Sequence, residues 1–229
     1  MSRVRASPDR QVAPLAEFRG LYAITPDEAD TGVLAYKVRQ ALTGGARMLQ
    51  YRNKSADLAL RREQGAALLA LCRAENVPLI INDDADLAEA LGADGLHLGR
   101  GDIPIGVARA RLGRGKVLGA SCYGALELAL AARDAGADYV AFGSAFPSTT
   151  KPGATRIAHS LFGEAKTRLD CPVVAIGGIT SQNAHAVIEA GADAIAVISA
   201  LFDAPDIKLR AREFARMFAV HDLEKRSSV

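Results

Sequence analysis

Three cations stand where short apolar runs end. Arg52 and Lys54 lie two apart after Met48-Leu49-Gln50-Tyr51, and Lys151 follows the hydroxyl residues Ser148, Thr149 and Thr150. Residues two apart on an extended chain point to the same side, so Arg52 and Lys54 share a face. Alone, such a pair reads as a solvated surface feature. Three cations and several hydroxyls gathered at one place make a polyanion pocket, because their like charges need an anionic ligand to offset the repulsion. Asp83 and Asp102 follow two further runs and together suit one hard cation. Magnesium accepts one or two carboxylates and completes its octahedron with water and phosphate oxygens. Asp84 reads at least as well as a helix N-cap ahead of Asp86-Leu87-Ala88, and Asp102, before Ile103-Pro104, also suits a turn. Gly177-Gly178-Ile179, with Ser199 further on, offers backbone N–H groups to a single phosphate, or forms an ordinary strand-to-helix turn. His97 is either a general base or a satisfied structural residue, and Cys122 beside Ser121 reads as a packed, inert thiol.

The elements that must position these groups follow from an internal repeat. Gly-Ala-Asp occurs at residues 92–94, 136–138 and 191–193, with a degenerate copy at Gly44-Gly45-Ala46, and an apolar run follows each copy. Glycine accepts the left-handed conformation that ends a helix, after which a short connection feeds a strand. Strands are expected over residues 21–25, 48–51, 79–82, 95–98, 117–121, 139–143, 173–176 and 194–198. Helical spacing of apolar residues occurs over 58–72, 126–135, 184–190 and 207–218, among others. The strands lack polar alternation, as in a parallel sheet buried on both faces. Eight strand-helix pairs predict an α/β fold of the (β/α)8 TIM-barrel type, with a doubly wound open sheet as the competing arrangement. In the barrel, functional groups gather at the C-terminal ends of the strands, where the residues above stand. One catalytic domain is expected over 15–220, with flexible tails over 1–14 and 221–229.

Composition narrows the function. The 229 residues carry 28 Lys+Arg against 26 Asp+Glu, a formal charge of +2, which argues against nucleic acid or a membrane surface held by bulk attraction. Three scattered cysteines, Cys72, Cys122 and Cys171, form no disulfide framework or zinc pattern, and a cytoplasmic setting is expected. No apolar run is long enough to span a bilayer. The first fourteen residues hold three arginines without a following apolar run, which suits a frayed tail, with a transit peptide as the alternative.

The chain resembles the thiamine phosphate synthases, also called thiamine-phosphate pyrophosphorylases. The resemblance runs in order through Tyr22-Ala23-Ile24-Thr25, Gln50 to Lys54, Ile81 to Asp84, Asp94 to Gly99, Gly143 to Lys151, and Pro172 to Asn183. It implies a magnesium-dependent barrel enzyme that joins 4-amino-5-hydroxymethyl-2-methylpyrimidine diphosphate to 4-methyl-5-(2-phosphooxyethyl)thiazole, releasing diphosphate and thiamine phosphate. By motif position it implies that Gln50, Arg52, Lys54 and Asn82 hold the pyrimidine diphosphate, with Ser121 and Lys151 completing that site. Tyr51 and Asn53 belong to the same substrate-binding run, although Tyr51 also reads as packing. Asp83 and Asp102 would bind magnesium. Ser148, Thr149 and Thr150 would line the thiazole and diphosphate region, and Gly178, Ile198 and Ser199 would hold the thiazole phosphate. Arg52, Lys54, Ser121 and Lys151 are the expected catalytic residues. Arg100 stands where the family often has Gln, and Ser148 where it often has Thr. Two other readings stay open: a thiazole tautomerase-like relative centred on His97, and a phosphate-ligand-binding barrel without catalysis.

Overall fold

A computed structural model describes residues 18–147 and 155–227. Eight parallel strands close into a barrel in sequence order, β1 (Gly20–Ile24), β2 (Met48–Tyr51), β3 (Leu79–Asn82), β4 (Gly95–Leu98), β5 (Val117–Tyr123), β6 (Tyr139–Phe142), β7 (Val173–Ile176) and β8 (Ala194–Val197). Helices α1 (Thr31–Thr43), α2 (Leu58–Ala74), α3 (Ala85–Leu91), α4 (Ile105–Leu112), α5 (Leu126–Asp134), α6 (Ser160–Arg168), α7 (Ala184–Glu189), α8 (Ser199–Phe202) and α9 (Ile207–Ser227) alternate with them or follow the last strand. This is the expected (β/α)8 architecture. The closing pair, β1 with β8, aligns Gly20 with Ala194 and Ala23 with Val197.

Side-chain alternation along the strands makes two cores. Leu21, Ala23, Leu49, Leu79, Leu96, Leu118, Val140, Val173 and Ile195 face outward and pack under the helices. Tyr22, Ile24, Met48, Ile80, Tyr139, Ala141, Val174 and Ala196 fill the interior. The strands therefore bury both faces, and that is why they read as continuous apolar runs.

The repeat has a structural cause at the N-terminal end of the barrel. The carboxylate of Asp94 accepts from the Leu79 N–H at 2.9 Å, while its own N–H donates to the Leu79 carbonyl at 3.0 Å. Asp138 clips Leu118 in the same way, and Asp193 clips Val173. Each Asp thus pairs the first peptide groups of the preceding strand, which the ladder leaves partly unmade. In the degenerate copy Arg47 occupies the Asp position, and only the backbone bond, Arg47 N–H to the Leu21 carbonyl at 2.9 Å, remains.

Several boundaries differ from expectation, most by one or two residues, and three of them bear on the site or the chain's end. β5 runs on to Tyr123 through a register shift between Ser121 and Tyr123. β8 stops at Val197, and Ser199 opens the short helix α8 instead of ending the strand. Helix α9 continues past residue 220, because Phe214, Phe218 and His221 are all buried and Asp222 pairs with Arg19 at 2.8 Å. The tail expected over 1–14 lies outside the described residues.

Replacing Asp94 by Ala leaves the Leu79 N–H buried without its partner, so urea unfolding is expected to show a loss of about 1–3 kcal/mol. Asn at the same position keeps an acceptor and restores most of that loss.

Candidate active site

At the C-terminal rim, the alternation that builds the barrel separates the residues of the β2 exit. Gln50 is buried and donates from Nε2 to the Tyr22 hydroxyl inside the barrel at 2.9 Å. Arg52 and Lys54 follow on the same side and line a cavity of about 550 Å³ together with Asn82 and Asp83. Tyr51 and Asn53 are turned the other way. The Tyr51 hydroxyl donates to Gln64 Oε1 at 2.8 Å, and burial pushes its pKa up to about 12. Asn53 donates to the Glu28 carbonyl at 2.7 Å and to Gln64 Oε1, and its own side-chain carbonyl accepts from Ser55 and Ala56. Both side chains border the cavity, but their polar atoms are committed to tying the β1 and β2 exit loops to α2. Tyr51 and Asn53, expected in the substrate-contacting run, thus also shape the loop that carries Arg52 and Lys54.

Two residues outside the expected site set, Thr25 and Asp27, hold Arg52. Thr25, fully buried, accepts from the Arg52 N–H at 2.9 Å and donates to its carbonyl at 2.8 Å. Asp27 accepts from the Arg52 guanidinium at 3.1 Å and from the Lys54 N–H at 2.9 Å. Thr25 stood in the β1 motif, but its partner could be found only once β1 lay beside β2.

Asp83 and Asp102 converge from β3 and β4. The Asp83 pKa is raised, first by burial and then by the neighbouring Asp102 carboxyl, with Lys54 opposing. Lys54 Nζ lies 3.7 Å from Asp83 Oδ2. Asp83 adopts a φ of 62°, which turns its side chain at the strand exit. Asp102 is fixed by a bond from the Gly99 N–H at 2.6 Å. Two oxygen-donor carboxylates squeezed together beside a cavity fit a small divalent cation, which would relieve their repulsion. Among the described residues there is no cluster of three or more His, Cys, Asp or Glu that could hold a metal, so such an ion would draw its remaining ligands from water and phosphate. Asp84 stands apart from this pair: its Oδ1 accepts from the Leu87 N–H at 2.9 Å as the N-cap of α3, and its Oδ2 accepts from Arg61 at 3.3 Å.

Ser121 lies across the barrel from Gln50, with its Oγ 2.8 Å from His97 Nε2. His97 Nδ1 is 2.9 Å from the Tyr139 hydroxyl. Cys122 points outward, is buried, and its thiol is pushed up to about 12 by desolvation, so it is no nucleophile. The Arg100 guanidinium stacks on the Tyr123 ring at 4.7 Å. Gly178 needs its missing side chain: a Cβ there would meet the Pro147 carbonyl oxygen at 2.2 Å, and its φ is 63°. The turn is locked by Asn183, which donates to the Gly178 carbonyl at 2.9 Å. Ile198 and Ser199 follow β8 beside this turn, Ile198 packing on the interior core. Ser148, Thr149, Thr150 and Lys151 lie outside the described residues.

A family model described as thiamine monophosphate synthase matches residues 21–201. The thiamine-phosphate synthase of Thiobacillus denitrificans is 54% identical over 205 residues, covering 90% of this chain and 97% of the relative. That of Chromobacterium violaceum is 55% identical over 199 residues, covering 87% and 96%. Among solved structures, thiamine phosphate pyrophosphorylase from Pyrococcus furiosus superposes with a TM-score of 0.80 at 37% identity, covering 90% of this chain and 98% of the other.

Asp84→Ala is expected to cost about 1 kcal/mol in urea unfolding, the usual worth of an N-cap, while turnover stays within about threefold of the parent. A collapse of turnover in a folded variant would place Asp84 in the cation shell after all.

Proposed function

The chain belongs to the thiamine monophosphate synthase family, and on that premise we propose that it joins 4-amino-5-hydroxymethyl-2-methylpyrimidine diphosphate to 4-methyl-5-(2-phosphooxyethyl)thiazole. The observation that carries this reading is the gathering of Arg52, Lys54, Asn82 and the Asp83 carboxyl on one cavity, with the Asp102 carboxyl close enough to raise the Asp83 pKa. Such a rim suits a diphosphate and the cation that accompanies it.

In the reaction, the bond between the pyrimidine methylene and the diphosphate oxygen breaks, and the electron pair leaves with diphosphate. The thiazole nitrogen then attacks the methylene and the new C–N bond completes thiamine phosphate. Arg52 and Lys54, with Lys151, stabilise the charge that develops on the leaving oxygens. Gln50, Asn82 and Ser121 orient the pyrimidine so that its methylene faces the thiazole. Thr25 and Asp27 keep Arg52 aimed at the cavity before substrate arrives. Ser148, Thr149 and Thr150 line the thiazole and diphosphate region, and Gly178, Ile198 and Ser199 hold the thiazole phosphate on the β7 and β8 side. Asp83 and Asp102 are the residues that would hold magnesium. A magnesium ion held by them would supply charge neutralisation to the diphosphate. The cytoplasmic setting expected from cysteine usage is part of the same proposal. No described helix is long and apolar enough to cross a membrane.

The chemistry asks for little proton transfer, and His97 agrees with that. Both of its ring nitrogens are engaged inside the barrel, which supports a structural place in the site over the base of a tautomerase.

Supplying both half-substrates with magnesium is expected to yield thiamine phosphate and diphosphate in equal amounts, and EDTA is expected to abolish both. Isomerisation without diphosphate would establish the tautomerase, and binding without turnover the non-catalytic barrel. Removing one electrostatic contact typically lowers a rate by about 100-fold, so Lys54→Ala is expected to lower kcat by roughly that factor with little change in Tm. Unchanged kcat would remove Lys54 from the leaving-group site.

A further inference from the structure

Aiming Arg52 does not require a negative charge, yet Asp27 brings one. Asp27 lies on the β1 exit loop, between Ile24 and the start of α1, and is not part of the cavity lining, whereas Arg52 and Lys54 are. Its Oδ1 accepts from Arg52 Nη1 at 3.1 Å and from the Lys54 backbone N–H at 2.9 Å. The Arg52 side chain is 16% exposed and that of Asp27 42%, so a half-exposed carboxylate backs a cation that is itself mostly covered.

The geometry alone could be held without that charge. Thr25 already fixes the Arg52 backbone, accepting from its N–H and donating to its carbonyl. A neutral amide oxygen could take the same two bonds that Asp27 Oδ1 takes. What only the carboxylate supplies is its charge. A guanidinium has five N–H groups, so the bond to Asp27 leaves donors for a ligand. A phosphate held by those donors has the Asp27 carboxylate just across one guanidinium, and like charges at that range oppose each other. Asp83 differs in this respect. It lines the cavity, where a cation arriving with a polyanion would offset its charge, whereas Asp27 lies outside the lining and keeps its charge when the ligand binds.

We propose that Asp27 is an internal counter-anion to Arg52 that holds down the affinity for diphosphate, so that the product anion leaves the site readily. Tighter binding of substrate and transition state alike would lower KM without raising kcat, and the same contacts would retain the product. Asp27 is thus a positioning residue whose charge sets how firmly the site grips a polyanion. This inference deepens the pyrimidine diphosphate reading and rests on it.

Calorimetry of free diphosphate with excess magnesium on the whole protein tests the sign of the effect. Asp27→Asn keeps the acceptor and removes the charge. Interactions between partly exposed charges change an equilibrium constant by up to about fivefold, so this variant is expected to bind diphosphate about three- to fivefold more tightly than the parent, and diphosphate is expected to inhibit its turnover more strongly by the same factor. The gain is expected to fade in about 1 M salt, where the screening length is about 3 Å. Asp27→Glu keeps the charge and is expected to stay within about twofold of the parent. Asp27→Ser also removes the charge and serves if the Asn variant does not fold. Diphosphate bound equally or more weakly by the charge-free variant, or several-fold more tightly by Asp27→Glu, would overturn the counter-anion, because a residue that only aims Arg52 loses affinity on substitution and does not gain it. A parent that binds no diphosphate would instead overturn the substrate reading, and the counter-anion with it.

Discussion

Two carboxylates forced together at the mouth of a barrel are the constraint on which the site depends. Asp83 is brought there by a left-handed turn at the end of β3, and Asp102 is held by a bond from the Gly99 N–H. Partial burial, and then the neighbouring Asp102 carboxyl, raise the pKa of Asp83. Lys54 opposes that rise from 3.7 Å, and its ammonium stays within reach of an arriving anion. The rim therefore holds opposite charges close together and incompletely matched, which suits a ligand that brings a cation and a polyanion at once.

Around that constraint the barrel separates two kinds of work. Outward residues at the rim stabilise loops: Tyr51, Asn53 and Gln64 lock the β2 exit to α2, and Asp84 caps α3. Inward residues line the rim cavity or support those that do. The interior of such barrels is normally filled by apolar side chains. Here a polar chain is carried through it, and every link is paired, which removes the cost of burying hydroxyl and amide groups. Carrying that chain imposes its own sequence requirement, a glycine at position 119 opposite the Tyr139 ring.

Much of this was legible along the chain because it is local. Strands 48–51, 79–82, 95–98 and 173–176 are bounded as their apolar runs suggest, and the Gly-Ala-Asp phrases mark strand entries. The alternation rule that put Arg52 and Lys54 on one face also turns Tyr51 and Asn53 to the other, and motif membership concealed that consequence. What could not be read was every contact that depends on strand register. Thr25 meets Arg52 only because Ile24 aligns with Gln50, and Tyr22 meets Tyr139 across 117 residues of sequence. The extension of α9 was hidden for a related reason. The stretch from His221 onward is hydrophilic in composition, yet His221 itself is buried and Asp222 pairs with Arg19, a partner some 200 residues away in the chain.

The paired carboxylates and the rim cations make one site only if cation and polyanion strengthen each other's binding, since linkage makes such coupling reciprocal. The direct measurement is the calorimetric affinity for free diphosphate across a magnesium series, on the parent and on Asp83→Asn. The expected result is an affinity that rises at least about tenfold with magnesium in the parent and stays nearly flat in the variant. Equal enhancement in both proteins would contradict a cation held by Asp83 and Asp102.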